Sequence, residues 1–316
     1  MKLSIKTSIA LVGLCCSSFA HAGGEGWTSD FTAAKKQATE SKKDLLIDFT
    51  GSDWCGWCIK LNEEVFSKEA FKAGVKDTMV LVELDYPKDK SKLTAATIQQ
   101  NKELAEKYPI SGYPTILLTD ADGKPYAATG YEEGGPEAYV KHLNELREKK
   151  ITRDKSFAAA AKLDGVEKAK ALVTALAVMG LKDAMVSNFY GEVIEEIKAA
   201  DPKDETGFAK ATAMKDRLAA IQVELRAYGQ KGDHAGALAV MEKAIKEGGF
   251  ETEDTQKMMF TRAMIFSKME KFDEAFKALE EAKAAAPDSE MAKSMDSIKG
   301  RIESAKKEAA EKKPGA

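Results

Sequence analysis

The chain has 316 residues, of which 44% are hydrophobic and 31% charged, so it has enough apolar residues to form ordinary folded cores and wholesale disorder is excluded. Its 48 Lys and Arg residues nearly balance 51 Asp and Glu residues, and the net charge of −3 lacks the positive field of a nucleic-acid-binding protein. At roughly 150 residues per domain, the length predicts two domains.

The first 22 residues have the pattern of a secretory signal peptide. Lys2 and Lys6 precede a short apolar run over residues 9–16, and Ala20-His21-Ala22 forms a small-x-small cleavage site. The run is too short to span a bilayer, and the alternative is an uncleaved anchor. We therefore expect residues 1–22 to be removed from an exported protein, periplasmic or secreted, whose mature chain has no membrane span.

Only two cysteines, Cys55 and Cys58, would remain after that cleavage. A pair with this spacing can be half of a zinc site or a redox pair. No second pair exists and no histidine lies at ligand spacing, so zinc is disfavoured and no metal site is predicted. One close pair in an exported chain favours a single redox unit, with no metal or organic cofactor required.

Strand and helix patterns alternate up to about residue 150, which predicts helices packed on a central sheet. In chain order the predicted elements are a helix over 30–42, a strand over 45–49, a helix over 55–73, a strand over 79–84, a helix over 94–108, strands over 115–119 and 126–129, and a closing helix over 136–150. An α/β domain is thus expected over 23–150.

Residues 151–303 contain no convincing strand and are predicted to be all-helical. Asp164 with Glu167 indicates a helix start, and Gly180 a helix end. The final segment, 304–316, is polar and is expected to be a frayed helix or disordered.

Part of this helical half repeats itself with an offset of 38 residues. The positions that correspond are Leu225, Tyr228, His234, Ala237, Met241 and Ala244 with Ala263, Phe266, Phe272, Ala275, Leu279 and Ala282. Each set fits two antiparallel helices, and residues 220–288 resemble the tetratricopeptide repeat in degenerate form. A weaker pattern predicts a further unit over 181–202.

The segment Trp54-Cys55-Gly56-Trp57-Cys58 follows an apolar strand and opens an amphipathic helix. Cys55 would then lie at the helix N-terminus, where unpaired amides and the helix dipole stabilise a thiolate. From its position three residues later, Cys58 could attack a mixed disulfide formed on Cys55.

Two motifs resemble the thioredoxin family over residues 27–149. One is Leu-Leu-Ile-Asp-Phe followed by Trp-Cys-Gly-x-Cys, and the other is Tyr-Pro-Ile-Ser-Gly-Tyr-Pro-Thr over 108–115. The resemblance implies the thioredoxin fold and thiol–disulfide exchange, with Cys55 as the exposed nucleophile and Cys58 as the buried resolving thiol. It also implies a cis bond before Pro114 that faces the cysteines and offers the backbone of Tyr113 to an extended substrate. A plain turn proline is the alternative.

The resemblance further implies a buried acid behind the resolving cysteine, and Asp48 is its counterpart. Burial would raise the pKa of Asp48 and suit it to relay the proton of Cys58. The loop before Cys55 has one residue more than the common pattern, which changes the spacing between Asp48 and Cys55. The alternative role of Asp48 is to cap the following helix with its carboxylate, and Asp53 is a second candidate for that role.

Trp54 and Trp57 are assigned to substrate binding together with Tyr113 and Pro114. Trp57 replaces the Pro or His that is common at its position in the family, so the sequence does not predict the direction of electron transfer.

The function predicted is that of an exported thiol–disulfide oxidoreductase that acts on protein thiols and disulfides through Cys55 and Cys58. A redox partner protein would supply or accept electrons, and the helical repeats would bind a peptide partner. Nucleic acid is not an expected partner. The alternative is a redox-sensing or structural adaptor that binds partner proteins through its helical repeats.

Overall fold

The computed structural model describes residues 24–311, which form two compact units that divide between Thr206 and Gly207. The predicted signal peptide, residues 1–22, and the last five residues of the tail lie outside the described part of the chain. Across residues 24–311, no helix has both the length and the apolar content that a bilayer crossing requires.

The first unit is built on a five-stranded mixed sheet with the strand order β1-β3-β2-β4-β5. Its strands are β1 (Trp27–Thr28), β2 (Asp44–Thr50), β3 (Met79–Asp85), β4 (Thr115–Thr119) and β5 (Pro125–Thr129). β3 runs parallel to β1 and β2, whereas β4 runs antiparallel to both β2 and β5. The predicted α/β class is confirmed, and among the five strands the two-residue β1 is the one that sequence patterns missed.

The central strand β2 carries the chain toward the cysteine pair from inside the core. All seven of its residues are buried, because helices cover both faces of the sheet. One face packs into a cluster around Phe31, Phe49 and Tyr108. The helices that precede the closing helix are α1 (Phe31–Ser41), α2 (Gly56–Leu61), α3 (Glu69–Val75) and α4 (Ala95–Lys107).

The predicted single helix over 55–73 is divided in the structure. A π-helical turn over 62–66 follows α2, and Lys68 then adopts an extended backbone before α3 begins. The amide of Ser67 donates to the carbonyl of Asn62, which closes the wider turn. Apolar spacing continues across this break, so periodicity alone could not locate it.

Gly123, in the turn between β4 and β5, packs closely under the core. Its φ is +84°, and an added Cβ would lie 2.8 Å from Tyr108 Oη and 2.9 Å from Phe31 Cζ. Tyr108 Oη also donates to the Gly123 carbonyl at 2.6 Å. This position therefore requires glycine for both its backbone conformation and its space.

We expect Gly123→Ala to lower the free energy of unfolding by about 1–2 kcal/mol through the left-handed backbone and by about 1–3 kcal/mol more through crowding. Gly135→Ala is the matched control, because Gly135 has φ +78° with nothing within 4 Å of an added Cβ. Urea unfolding followed by tryptophan fluorescence reports this unit alone, since all three tryptophans lie before residue 58. Equal losses in the two variants would contradict the crowding argument.

The closing helix does not stop at residue 150 as predicted. The helix α5 (Gly135–Ala160) continues through that point and is followed by α6 (Gly165–Met179) and α7 (Asp183–Ala200), all within the first unit. Asp164 is the N-cap residue of α6, but its side chain makes no capping hydrogen bond, contrary to the capping-box pattern.

Helix α7 packs against the sheet domain rather than continuing the repeats, which corrects the prediction for 181–202. Tyr190 Oη donates to the carbonyl of Pro125 at 2.6 Å and accepts from the buried Arg153 at 2.8 Å. The Phe189 ring lies 4.6 Å from that of Tyr108. Because these contacts join α7 to β5 and the core, the compact unit extends to Thr206.

The second unit consists of five helices that pack consecutively, namely α8 (Phe208–Lys231), α9 (His234–Glu247), α10 (Thr252–Lys268), α11 (Phe272–Ala285) and α12 (Glu290–Glu311). Of the twelve positions predicted from the 38-residue offset, all except His234 fall in its two cores. Seven of them are buried: Ala237, Met241, Ala244, Ala263, Ala275, Leu279 and Ala282. The polar tail remains helical through Glu311, the last described residue.

Candidate active site

Cys55 and Cys58 form a disulfide at the start of α2, with their Cα atoms 5.2 Å apart. Cys55 is itself the N-cap residue, and its Sγ accepts the Cys58 backbone amide at 3.2 Å. In the reduced protein this amide would stabilise negative charge on the Cys55 sulfur. The helix is thus capped by the cysteine, and neither Asp48 nor Asp53 has the capping role offered as an alternative.

The two cysteines are both largely covered in the disulfide form. Cys55 is 7% exposed and Cys58 is 4% exposed, so in this form Cys55 is less accessible than the resemblance implies. The neighbouring tryptophans form the surface instead, with Trp54 40% exposed and Trp57 58% exposed. The exposed surface next to the cysteine pair is therefore aromatic.

Trp54 connects the active-site turn to the loop that carries the cis proline. Its indole Nε1 donates to the Tyr86 carbonyl at 2.8 Å, and its ring makes an edge contact with Tyr113 at 5.5 Å between centroids. The indole also lies against Gly51, where an added Cβ would approach it to 2.5 Å. Trp54 is therefore held in place from three sides.

The peptide bond between Tyr113 and Pro114 is cis, as the resemblance implies, and β4 starts directly after it. Tyr113 contacts both Trp54 and Tyr86, with 5.5 Å between ring centroids in each pair. The cis-proline loop consequently lies beside the residue that precedes Cys55.

A second aromatic group lies on the other side of the cysteine pair. The Trp57 and Tyr131 rings are 5.2 Å apart, and Lys60 Nζ lies over them at 5.3 and 4.7 Å from the respective centroids. Tyr131 Oη donates to Glu64 at 2.5 Å. Hydrogen bonding to Tyr131, followed by the charge of Glu64, raises the pKa of Lys60. Sequence reasoning missed Tyr131, which is distant from the motif along the chain, and Glu64, which lies in the π-helical turn directly after α2.

Asp48 is buried on β2, where it is 6% exposed, and its Oδ1 makes no hydrogen bond within the described structure. Burial, followed by the negative charges of Glu83 and Asp85, raises the pKa of Asp48 well above its ordinary value. Asp48 and Cys58 line the same small cavity, of about 90 Å³. The additional loop residue before Cys55 therefore does not separate this carboxyl from Cys58.

Glu83 is a second buried acid at this site, and the sequence analysis did not identify it. It is paired with Asp48 in the parallel register of β2 and β3, and it lines the same cavity as Cys58. The sequence did contain a usable signal, because Glu83 interrupts the apolar run Met-Val-Leu-Val-Glu-Leu over 79–84.

Asp53 connects the active-site turn to the loop over 87–93. Its carboxylate accepts the backbone amides of Lys88 at 2.9 Å and Asp89 at 3.1 Å, and it pairs with Lys92 at 3.5 Å. The two backbone hydrogen bonds are the main reason that the pKa of Asp53 is lowered.

Among residues 24–311, no group of three or more His, Cys, Asp and Glu side chains is arranged to hold a metal ion.

Comparison with known proteins finds matches for both the α/β domain and the helical repeats. Residues 31–147 match the thioredoxin-like domain family, and residues 256–289 match the tetratricopeptide repeat. The chain is 33% identical over 139 residues to the disulfide bond reductase DsbH of Chlamydia pneumoniae, across 40% of this chain and 82% of DsbH. A solved structure of DsbH oxidoreductase, 30% identical, covers 44% of this chain and 93% of its own, with a TM-score of 0.37.

Other relatives match over a smaller part of their length. The thioredoxin-related protein DsbJ of Chlamydia pneumoniae is 34% identical over 92 residues, which is 29% of this chain and 26% of DsbJ. The protein disulfide isomerase-like 2-2 of Oryza sativa subsp. japonica is 34% identical over 108 residues, which is 34% of this chain and 24% of that protein.

The fold and the cysteine pair define a thioredoxin-like thiol–disulfide oxidoreductase. Because the match to DsbH combines 33% identity with coverage of 82% of that protein, the chain belongs to the thioredoxin-like family.

Proposed function

We propose that this chain is an exported oxidoreductase that reduces disulfides in protein substrates through Cys55 and Cys58. The observation that carries the proposal is the position of the cysteine disulfide at the start of α2, with Asp48 beside Cys58 in one cavity. The cis-proline loop approaches from the other side through the contact between Tyr113 and Trp54.

In the proposed reaction, the Cys55 thiolate attacks one sulfur of a substrate disulfide. The substrate S–S bond breaks, a mixed disulfide forms, and the first substrate thiolate leaves and takes up a proton. Asp48 then accepts the proton of Cys58, whose thiolate attacks the Cys55 sulfur and releases the second substrate thiol. Two electrons pass from enzyme to substrate, and a redox partner protein would restore the dithiol.

The acidic side chains around Cys58 support reduction of substrate disulfides rather than their formation. The carboxyl groups that line the cavity belong to Asp48, Glu63 and Glu83, and no lysine or arginine of the described chain lines it. Nearby negative charge disfavours a thiolate, and a destabilised reduced form makes a dithiol a better reductant. The name of the relative DsbH, a disulfide bond reductase, agrees with this direction.

The proposal is tested by insulin reduction with dithiothreitol as the electron source. We expect the wild-type protein to accelerate precipitation of the insulin B chain well beyond dithiothreitol alone. Protein whose thiols are reduced and then alkylated is the control and is expected to give only the background rate. Absence of acceleration by the wild type would contradict the proposed function.

Export is tested separately from catalysis. When the full chain is expressed in a bacterial host, we expect cleavage after Ala22, so that the mature protein begins at Gly23 in the periplasmic fraction. Intact-mass measurement identifies the new N-terminus. Retention of residues 1–22 in cytoplasmic protein would contradict export while leaving the redox proposal standing.

A second candidate function, that of an adaptor, is supported by the helical unit and its tetratricopeptide match over 256–289. In this proposal the unit binds a peptide segment of a partner, and oxidation of Cys55 and Cys58 changes what is bound. Pull-downs from oxidised and reduced protein test it. Identical partner sets in the two states would contradict redox switching.

A further inference from the structure

Helix α7 contacts the cis-proline loop, which we define as residues 109–114, and the two residues that lead into it. The helix lies outside both family matches, which cover 31–147 and 256–289, and it belongs to the same compact unit as the loop. The side chains that make these contacts belong to Asn188, Phe189 and the N-cap residue of α7, Lys182.

The first contact is at the end of α4, directly before the loop. The last carbonyl groups of a helix have no partner within the helix. Asn188 Nδ2 donates to the carbonyl of Lys107, the last residue of α4, at 3.0 Å. Lys107 Nζ lies over the Phe189 ring, 5.4 Å from its centroid. Helix α7 therefore helps to fix the point at which α4 ends and the chain enters the loop.

The second contact is made through Tyr108, the residue that precedes the loop. The rings of Phe189 and Tyr108 are tilted by 31° with their centroids 4.6 Å apart. Tyr108 belongs to the buried cluster that also contains Met185 of α7, and Tyr113 packs against that same cluster. The helix and the residue before the cis proline thus share one apolar core.

The third contact is on the loop itself. Lys182 Nζ donates to Oγ of Ser111, three residues before Pro114. Ser111 and Gly112 are both exposed, and the Gly112 carbonyl accepts the hydroxyl of Thr115 at 2.7 Å. The exposed part of the loop is therefore held by α7 at Ser111 and by β4 at Gly112.

From these three contacts we propose that Lys182, Asn188 and Phe189 are positioning residues for the protein substrate. They hold the loop in the conformation in which the backbone of Tyr113 pairs with an extended substrate segment. This inference rests on the proposed function, and it gives a helix outside the family matches a share in substrate binding. A loop that is not held must be ordered when substrate binds, and ordering one residue weakens binding by about tenfold. The contacts should therefore affect KM rather than kcat.

The test compares reduced full-length wild type with the double variant Lys182→Met/Asn188→Ala on two substrates. One is a disulfide-linked peptide, which can pair with Tyr113, and the other is the small disulfide 5,5′-dithiobis(2-nitrobenzoate), which has no peptide backbone. Because each lost hydrogen bond weakens binding by about threefold, we expect KM for the peptide to rise about tenfold with little change in kcat. The ratio of kcat/KM for the peptide to that for the dye should fall by the same factor, whereas an unfolded fraction would lower both values equally.

Ser187→Ala/Lys198→Met is the matched control variant. It removes the same kinds of polar group from exposed positions of α7, and Lys198 bonds within the helix to Glu195 at 2.8 Å. The ratio of peptide to dye should stay at the wild-type value in this variant. The conservative change Lys182→Arg retains a donor toward Ser111 and should restore the wild-type KM when it replaces Lys182→Met.

Backbone pairing is tested directly with peptides that carry one N-methyl group, placed in turn at each amide within three residues of the cysteine. In the wild type, methylation of the amide that pairs with Tyr113 should raise KM several-fold. In the double variant this increase should be smaller, because the pairing is already weakened. A role of α7 in stability alone would leave the N-methyl effect unchanged.

Four outcomes would overturn the inference. If the double variant keeps the wild-type ratio of peptide to dye, the contacts of α7 do not position the substrate, although the proposed function stands. The same conclusion follows if kcat falls while KM is unchanged, or if the control variant loses as much as the double variant. If the wild type reduces neither dye nor peptide, the proposed function and the inference fail together.

Discussion

Replacing Cys55 by serine is expected to lower the rate of insulin reduction by at least about 10³-fold, to the level of dithiothreitol alone. A serine hydroxyl is not ionised near neutral pH, so no nucleophile remains where the Cys58 amide now stabilises the Cys55 sulfur. The rate is measured by precipitation of the insulin B chain at equal protein concentration.

Replacing Cys58 by alanine is expected to have a different result at the same site. Cys55 can still attack, but the mixed disulfide cannot be resolved, so substrate proteins remain covalently attached. Non-reducing electrophoresis followed by mass spectrometry identifies them, and the double variant with Cys55→Ser is the control that should capture nothing. A Cys58→Ala protein that captures no protein from an oxidising extract, or a Cys55→Ser protein that retains activity, would contradict the assigned roles.

Asp48→Asn is expected to slow resolution of the mixed disulfide by about 10²-fold at neutral pH, because an amide cannot accept the proton of Cys58. In the wild type the resolution rate should rise as pH increases through the raised pKa of Asp48, since the carboxylate is the active form. In the variant that rise should be absent. Single-turnover kinetics with a pre-formed mixed disulfide give the rate at each pH.

Glu83→Gln is the variant to compare with Asp48→Asn. Its negative charge is one of the causes that raise the pKa of Asp48, so its removal should move the rise in resolution rate to lower pH without abolishing it. An unchanged pH profile in Glu83→Gln would contradict this electrostatic coupling. An unchanged profile in Asp48→Asn would exclude Asp48 as the proton acceptor.

Ionisation of Asp48, which should speed resolution of the mixed disulfide, should lower the stability of the folded protein. Because burial makes folded Asp48 bind its proton more tightly than unfolded Asp48, the folded wild type loses stability as pH rises above the ordinary value of 3.8 and through the folded-state pKa. The amide introduced by Asp48→Asn does not titrate, so the stability advantage of that variant should grow across that window. Urea unfolding of the oxidised proteins at pH 4 and pH 8 compares the two.

The elements that are specified by strong local sequence preferences were the ones that sequence patterns predicted well. The strands around the sheet centre and the cysteine motif depend on short segments with strong preferences, whereas the cis bond before Pro114 was implied by the family resemblance. The break in the helix after Leu61 was missed because a π-helical turn leaves the apolar spacing almost unchanged. The capping role suggested for Asp53 was wrong, since its partners Lys88 and Asp89 are distant along the chain.

Long-range pairing also explains the remaining differences within the site. Glu83 lies next to Asp48 only because β2 and β3 pair in one particular register, which no short segment determines. The packing of Tyr131 with Trp57 likewise depends on where the chain returns after β5. The family match ends at residue 147, whereas long-range contacts extend the compact unit to Thr206.

The contacts of α7 have a practical consequence for dissecting the protein. A gene fragment cut at residue 150 would sever α5 in its interior and would remove Phe189 and Tyr190, which contact the ring of Tyr108 and the carbonyl of Pro125. Such a fragment would expose apolar surface and be prone to aggregate. A recombinant catalytic fragment should instead extend from residue 23 to Thr206, so that α6 and α7 are retained and the apolar core stays shielded from water.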